Sequence, residues 1–217
     1  MWNLFGRSMP ERREEEPCRV HVNNPAAATI LAGHLLRLLR RLYSSDRPLV
    51  VLCIGTDRST GDCLGPLVGT KLRPVLEPAI SVLGTLDDPV HAVNLDEVLR
   101  DLYARLPNPF IIATDACLGQ SESVGFITLK EGPLQPGTGV NKNLPMVGDL
   151  HLIGVVNVGG FMEYLVLQNT RLSLVMQMAE VIAAALRDGL QVFRSPAAVF
   201  PGAEPAIARL AWQEAEG

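Results

Sequence analysis

Two aspartates stand where they could do chemistry. Val50-Val51-Leu52-Cys53-Ile54 reads as a buried strand and runs into the loop Gly55-Thr56-Asp57-Arg58-Ser59-Thr60-Gly61-Asp62. Phe110-Ile111-Ile112-Ala113-Thr114 reads the same way and meets Asp115. In open α/β sheets, reactive groups gather outside the carboxyl ends of the strands, so neighbouring strands could bring both acids to one crevice. Two carboxyls held close cannot both ionise cheaply, and one keeps a proton. Such a pair can activate a water as base and protonate a leaving amine as acid. Those are the two proton transfers that peptide hydrolysis requires.

Each acid also has a plainer reading. Asp62 stands where the next helix begins, and Asp is a favoured N-cap. Asp115 ends a strand with no exposed face of its own, and an acid there needs a partner. That need turns the reading of Asp62 toward catalysis. The glycines of the first loop let backbone N–H groups approach a ligand. Gly61 is followed by Asp62 and Cys63, however, where a P-loop needs a lysine and a hydroxyl. Gly55, Gly61 and Gly65 are too widely spaced for the dinucleotide fingerprint. Asp57 and Arg58 read equally as a local ion pair or as substrate contacts. Cys63 and Cys117 lie beside acids, which disfavours a thiolate, so both read as packing residues. No histidine sits in either loop, so a Cys–His or Ser–His mechanism has little support.

The elements that must position these residues follow from periodicity. Leu31, Leu35, Leu38, Leu39 and Leu42 recur at helical steps, with Arg37, Arg40 and Arg41 on the other side. After the first strand, a helix is expected near 63–76, a strand near 79–84 and a helix near 94–106, opened by a capping box of Asn94 and Glu97. Strands are expected near 110–115, 124–129 and 150–156. One long helix is expected from about Phe161 to Arg187, with Leu165, Leu172, Val175, Met176, Ala179, Ile182, Ala183 and Leu186 on one face and Gly189 as its stop. This alternation predicts an α/β fold, a mostly parallel sheet with helices on both faces. Residues 1–22 read as a flexible N-terminal arm, 23–192 as a single domain and 193–217 as a C-terminal tail.

The 217 residues suit one domain, and an aromatic share of 5% makes the core aliphatic. A formal charge of -4 offers no broad basic field, so nucleic acid is not an expected partner. Cys18, Cys53, Cys63 and Cys117 show no CxxC pair and read as reduced thiols. No apolar run reaches the roughly 18 residues of a membrane span, and the charged start is not a secretion signal. A cytoplasmic protein is the expectation.

The motifs resemble those of the YyaC-type sporulation proteins of spore-forming Firmicutes. They are the Gly55–Asp62 loop, Gly84-Thr85-Leu86-Asp87, His91-Ala92-Val93-Asn94-Leu95, Asp115-Ala116-Cys117-Leu118-Gly119 and Gly160-Phe161-Met162-Glu163-Tyr164. The likeness covers about residues 20–190. Asp62-Cys63-Leu64-Gly65-Pro66, Asp115-Ala116 and Pro136-Gly137-Thr138-Gly139-Val140 are similar to the larger germination protease, an atypical aspartic peptidase that degrades small acid-soluble spore proteins. The resemblance implies Asp62 and Asp115 as the catalytic aspartates. Gly55, Thr56, Asp57, Arg58, Thr60, Lys142 and Asn157 would then line the substrate groove. It also implies the three-layer α/β/α sandwich of hydrogenase maturation endopeptidases, a phosphorylase/hydrolase-like fold whose relatives self-associate.

Those endopeptidases bind nickel through an acid in the first loop, an Asp after a strand, and a His before a Gly-Phe helix start. The first two positions match Asp62 and Asp115, while the third falls at Asn157, whose amide is a poor ligand. No cofactor is therefore expected. A divalent transition metal on Asp62, Asp115 and His151 is the weaker alternative. The functional expectation is a sporulation peptidase acting on a protein or peptide inside the sporulating cell or spore. Its alternatives are a catalytically silent protein that binds such a partner through the same cleft, and a metal-assisted maturation-type endopeptidase.

Overall fold

The aliphatic runs pair into one six-stranded sheet of order β1-β5-β6-β4-β2-β3. The computed structural model describes residues 15–137 and 144–195. In chain order these form β1 (Cys18–His21), α1 (Ala27–Leu42), β2 (Leu49–Cys53), α2 (Leu64–Leu76), β3 (Ser81–Leu83) and α3 (Leu95–Arg105). They continue as β4 (Phe110–Gly119), a 3-10 turn (Ser121–Ser123), β5 (Phe126–Glu131), β6 (Leu150–Val158), α4 (Glu163–Gln168) and α5 (Leu172–Arg194). Strands β3, β2, β4 and β6 run parallel, and β5 is antiparallel to both β6 and β1.

Helices α1, α2 and α5 cover one face through Leu31, Leu35, Leu64, Leu72, Ile182 and Leu186, all essentially inaccessible to water. Helix α3 covers the other face through Leu95, Leu99 and Leu102, beside Leu134 and Val147. This is the expected three-layer α/β/α sandwich with a mostly parallel sheet. The connection from β2 runs to β3 on one side, and the next returns past β2 to β4. The sheet therefore has its topological switch point between β2 and β4, where α/β sheets open a crevice.

Several expectations need correction. The expected N-terminal arm gives way at Cys18, because Cys18–His21 pair with Phe126–Leu129 as an edge strand. Glu15 is also tied down, accepting from Arg37 at 3.2 Å. The rest of the arm, residues 1–14, and most of the tail, residues 196–217, lie outside the described residues. The single helix expected over 161–187 is two, α4 and α5, separated at Asn169–Arg171. The break takes Leu165 out of the core stripe and leaves it 42% exposed. Gly189 does not end α5, which continues to Arg194. Its role is close approach: a Cβ there would lie 2.9 Å from Leu35 Cδ2 and 3.3 Å from the Ala32 carbonyl oxygen. Asn94 caps α3 without a side-chain bond to the helix, so the capping box does not form. Its amide instead holds the preceding turn, accepting from His91 N and donating to the Pro89 carbonyl.

Candidate active site

Strand β4 is longer than its sequence suggests, and that length creates the site. Its pairing with β2 ends at Cys53 opposite Thr114, where Ile54 N–H donates to the Thr114 carbonyl at 2.7 Å. On the other side it continues along β6 as far as Gly119 opposite Val158. Asp115 is thus mid-strand, the first residue past the end of β2. The chain leaves β2 at Gly55, whose N–H donates to the Val90 carbonyl. With φ at +146, Gly55 lets the loop fold back: a Cβ there would lie 2.0 Å from the Asp62 carbonyl oxygen. Thr56 N–H donates to that same oxygen at 3.2 Å, and Gly61 N–H ties the loop to the Leu167 carbonyl at 2.9 Å. Cys63, with no side-chain cap bond, takes the N-cap position of α2, so the Asp62 carboxyl is not spent as a cap.

Asp62 and Asp115 line one crevice with a cavity volume of about 590 Å³, within the range of small-molecule and peptide sites. Its floor and walls include Ile54, Gly55, Thr56, Ser59, Ala116, Cys117, Leu118, Pro136, Gly137, Leu144 and Leu167. Arg58, His91, Ala92, Val93, Glu163 and Tyr164 complete it. Burial pushes the Asp115 carboxyl up to about 8; the Ala116 N–H, donated to its Oδ1 at 2.8 Å, pulls the other way, and the Asp62 charge adds to the rise. Burial raises Asp62 as well. The Ser59 hydroxyl offsets part of that rise, although it is buried without a partner at hydrogen-bond geometry. Burial thus favours the protonated form of both carboxyls, and of Asp115 at neutral pH.

Burial also pushes the Cys117 thiol up to about 11, with Asp115 adding to it. It lines the crevice as a neutral thiol, and no thiolate nucleophile is available there. Gly55, Thr56 and Arg58 are in the lining, whereas Asp57 and Thr60 are not. Among the described residues no ion pair joins Asp57 to Arg58. Lys142 lies outside the described residues.

Asn157 is not part of the lining. Its amide Nδ2 donates to the Val166 carbonyl and Thr170 Oγ1, and its Oδ1 accepts from Val158 N, stitching β6 to the end of α4. His151 is buried in β6, with Nδ1 2.7 Å from the Gly132 carbonyl oxygen, and does not reach the crevice. The ligand set implied for nickel therefore does not fit: its amide and imidazole candidates are both engaged elsewhere. Among the described residues, no three of His, Cys, Asp and Glu are grouped to hold an ion.

His91, Glu163 and Tyr164, noted in the sequence only as parts of family motifs, were not expected to line the site. His91 follows the carboxyl end of β3, the same position in the architecture that singled out the two aspartates. Its Nδ1 accepts from Val93 N–H at 3.2 Å, which leaves the neutral ring's proton on Nε2. Glu163 and Tyr164 were hidden by reading residues 161–187 as one helix. The α4 segment instead stands over the crevice, with Phe161 87%, Met162 54% and Tyr164 60% exposed.

Residues 19–185 match the family described as "Protein of unknown function (DUF1256)". The YyaC protein of Bacillus subtilis is 56% identical over 161 residues, covering 74% of this chain and 78% of that one. A solved chain, the NiFe hydrogenase maturation protease HycI from Thermococcus kodakarensis, aligns at 15% identity over 71% of this chain and 99% of its own, with a TM-score of 0.47. That likeness is too slight to carry function from one chain to the other. The chain belongs to the DUF1256 family, together with YyaC.

Proposed function

We propose that this protein is a peptidase whose catalytic pair is Asp62 and Asp115. The observation that carries the reading is their convergence on one crevice, where burial raises both carboxyls, that of Asp115 to about 8. Ionised Asp62 takes a proton from a water as its oxygen attacks the peptide carbonyl carbon, while Asp115 gives its proton to the carbonyl oxygen. In the second step the C–N bond breaks. Asp62 returns its proton to the leaving nitrogen, and Asp115 recovers one from a hydroxyl of the tetrahedral intermediate. Each carboxyl ends as it began, and no other reactant is consumed. Arg58, His91 and Tyr164 supply polar contacts around that centre, and Val93 and Leu118 apolar ones.

The proposed substrate is a protein or peptide. The motif resemblance to the germination protease points to small acid-soluble spore proteins, or another sporulation protein, inside the sporulating cell or spore. The test is mass spectrometry of purified small acid-soluble spore proteins incubated with wild-type protein, D62N or D115N. Wild-type protein should release fragments, and each variant should slow that release by about a hundredfold to ten-thousandfold, the worth of a positioned acid or base. Equal cleavage by a double Asn variant would refute the dyad. Capture of the spore proteins without cutting would replace the reading by a silent binder.

A further inference from the structure

We propose that the edge of β4 beyond Thr114 is a binding rail for an extended peptide, which joins the sheet as a strand in the lane where β2 stops. The inference rests on the peptidase reading only for calling that peptide a substrate. Within a strand, the N–H and C=O of alternate residues turn toward opposite neighbours. Thr114 turns toward β2, since its carbonyl accepts from Ile54 N–H. Ala116 and Leu118 follow at the same parity and face the same side. Gly119, at the other parity, faces away and accepts from Gly159 N–H at 2.8 Å.

Among the described residues no strand pairs with β4 on that side past Thr114. Ala116 N–H, the donor that a continued β2 would have used, is occupied by Oδ1 of the Asp115 carboxyl. Ala116 and Leu118 both line the crevice, as do Ile54, Gly55 and Thr56 from the end of β2 and the turn after it. The cavity is therefore the vacated lane itself, with ladder groups already in place along one wall. A peptide carbonyl that takes over Ala116 N–H would release the Asp115 carboxyl for chemistry and set the backbone beside it.

Strand addition gives affinity through main-chain bonds and specificity through alternate side chains. Alternate side chains of the added strand would turn toward the His91–Val93 turn and toward α4. Val93 is 79% and Tyr164 60% exposed, so bulky apolar side chains on adjacent residues of the added strand, which point to opposite faces, fit those two walls.

The experiment presents the full-length D62N variant with a library of nine-residue peptides, then remakes the captured peptide with each backbone N–H replaced in turn by an ester oxygen. Affinity should fall about twofold to tenfold at every second position and stay nearly unchanged between them, the worth of one main-chain bond. Amide hydrogen exchange at Leu118 should slow on binding, while Cys117, facing β6, stays as it was. Losses without a period of two, an unprotected Leu118 or failure to capture any peptide would overturn the rail. Peptides that show the alternation yet are never cut by wild-type protein would reject the peptidase reading alone. Peptides that are cut without alternation would reject the rail alone.

Discussion

Raising the pH should cost the wild-type protein stability that the D115N variant keeps. Asp115 has an ordinary value of 3.8 in the unfolded chain and about 8 in the fold, chiefly through burial. Between those values the folded state holds a proton that the unfolded state has lost, so stability falls as pH rises. The contribution is complete below about pH 4 and gone above about pH 8. At 1.36 kcal/mol per pH unit, the gap of about four units caps it at about 6 kcal/mol. Asp115 is only half-buried, and solvent reaching its carboxyl from the crevice brings the expected loss to about 3 kcal/mol. Urea unfolding of both proteins at intervals from pH 4 to 9 gives the difference curve directly. It should slope downward across that window. A flat difference, or a step confined to the neighbourhood of pH 4, would refute the claim that the fold holds Asp115 protonated.

Three further outcomes follow from side chains around the site. Cys117→Ala should leave the proposed peptidase activity within about threefold of wild type, and iodoacetamide at pH 7 should not abolish it, because a thiol pushed to about 11 is not a nucleophile there. Asn157→Ala should cost about 1–2 kcal/mol in urea unfolding, through the lost bonds to Val166 and Thr170, without lowering the rate at saturating peptide. Gly189→Val should cost about 2 kcal/mol by forcing apart α1 and α5, read as a lower urea midpoint at unchanged slope.

The parts of the fold legible in the sequence are those fixed by local pattern. The spacing of Leu31, Leu35, Leu38 and Leu39 placed α1, and the alternation of β2, α2, β3 and α3 gave the parallel sheet. The length of β4 was not legible, because its second half is held by β6, whose own extent is a tertiary matter. Neither Gly nor Pro marks the break between α4 and α5, and the apolar spacing runs on through it. It was therefore invisible. Gly189 was misread as a stop because the partner that requires its missing side chain, Leu35, is 154 positions away in sequence. At the site, the strand-end rule brought out Asp62 and Asp115, and applied to β3 it would also have given His91. It could not show that Asn157, though close in sequence to the helix start, turns its amide toward Val166 and Thr170 rather than toward the crevice.

The central claim is that residues 62 and 115 share one proton. Carboxyl carbon NMR of aspartate-labelled protein across pH 4–10 tests it most directly, in wild type and in each Asn variant. Asp115 should titrate near 8 and move downward in D62N, though only modestly, because burial outweighs the neighbouring charge. Asp62 should titrate above its ordinary 3.8. Two independent titrations near 4, each indifferent to the other residue's replacement, would contradict the account.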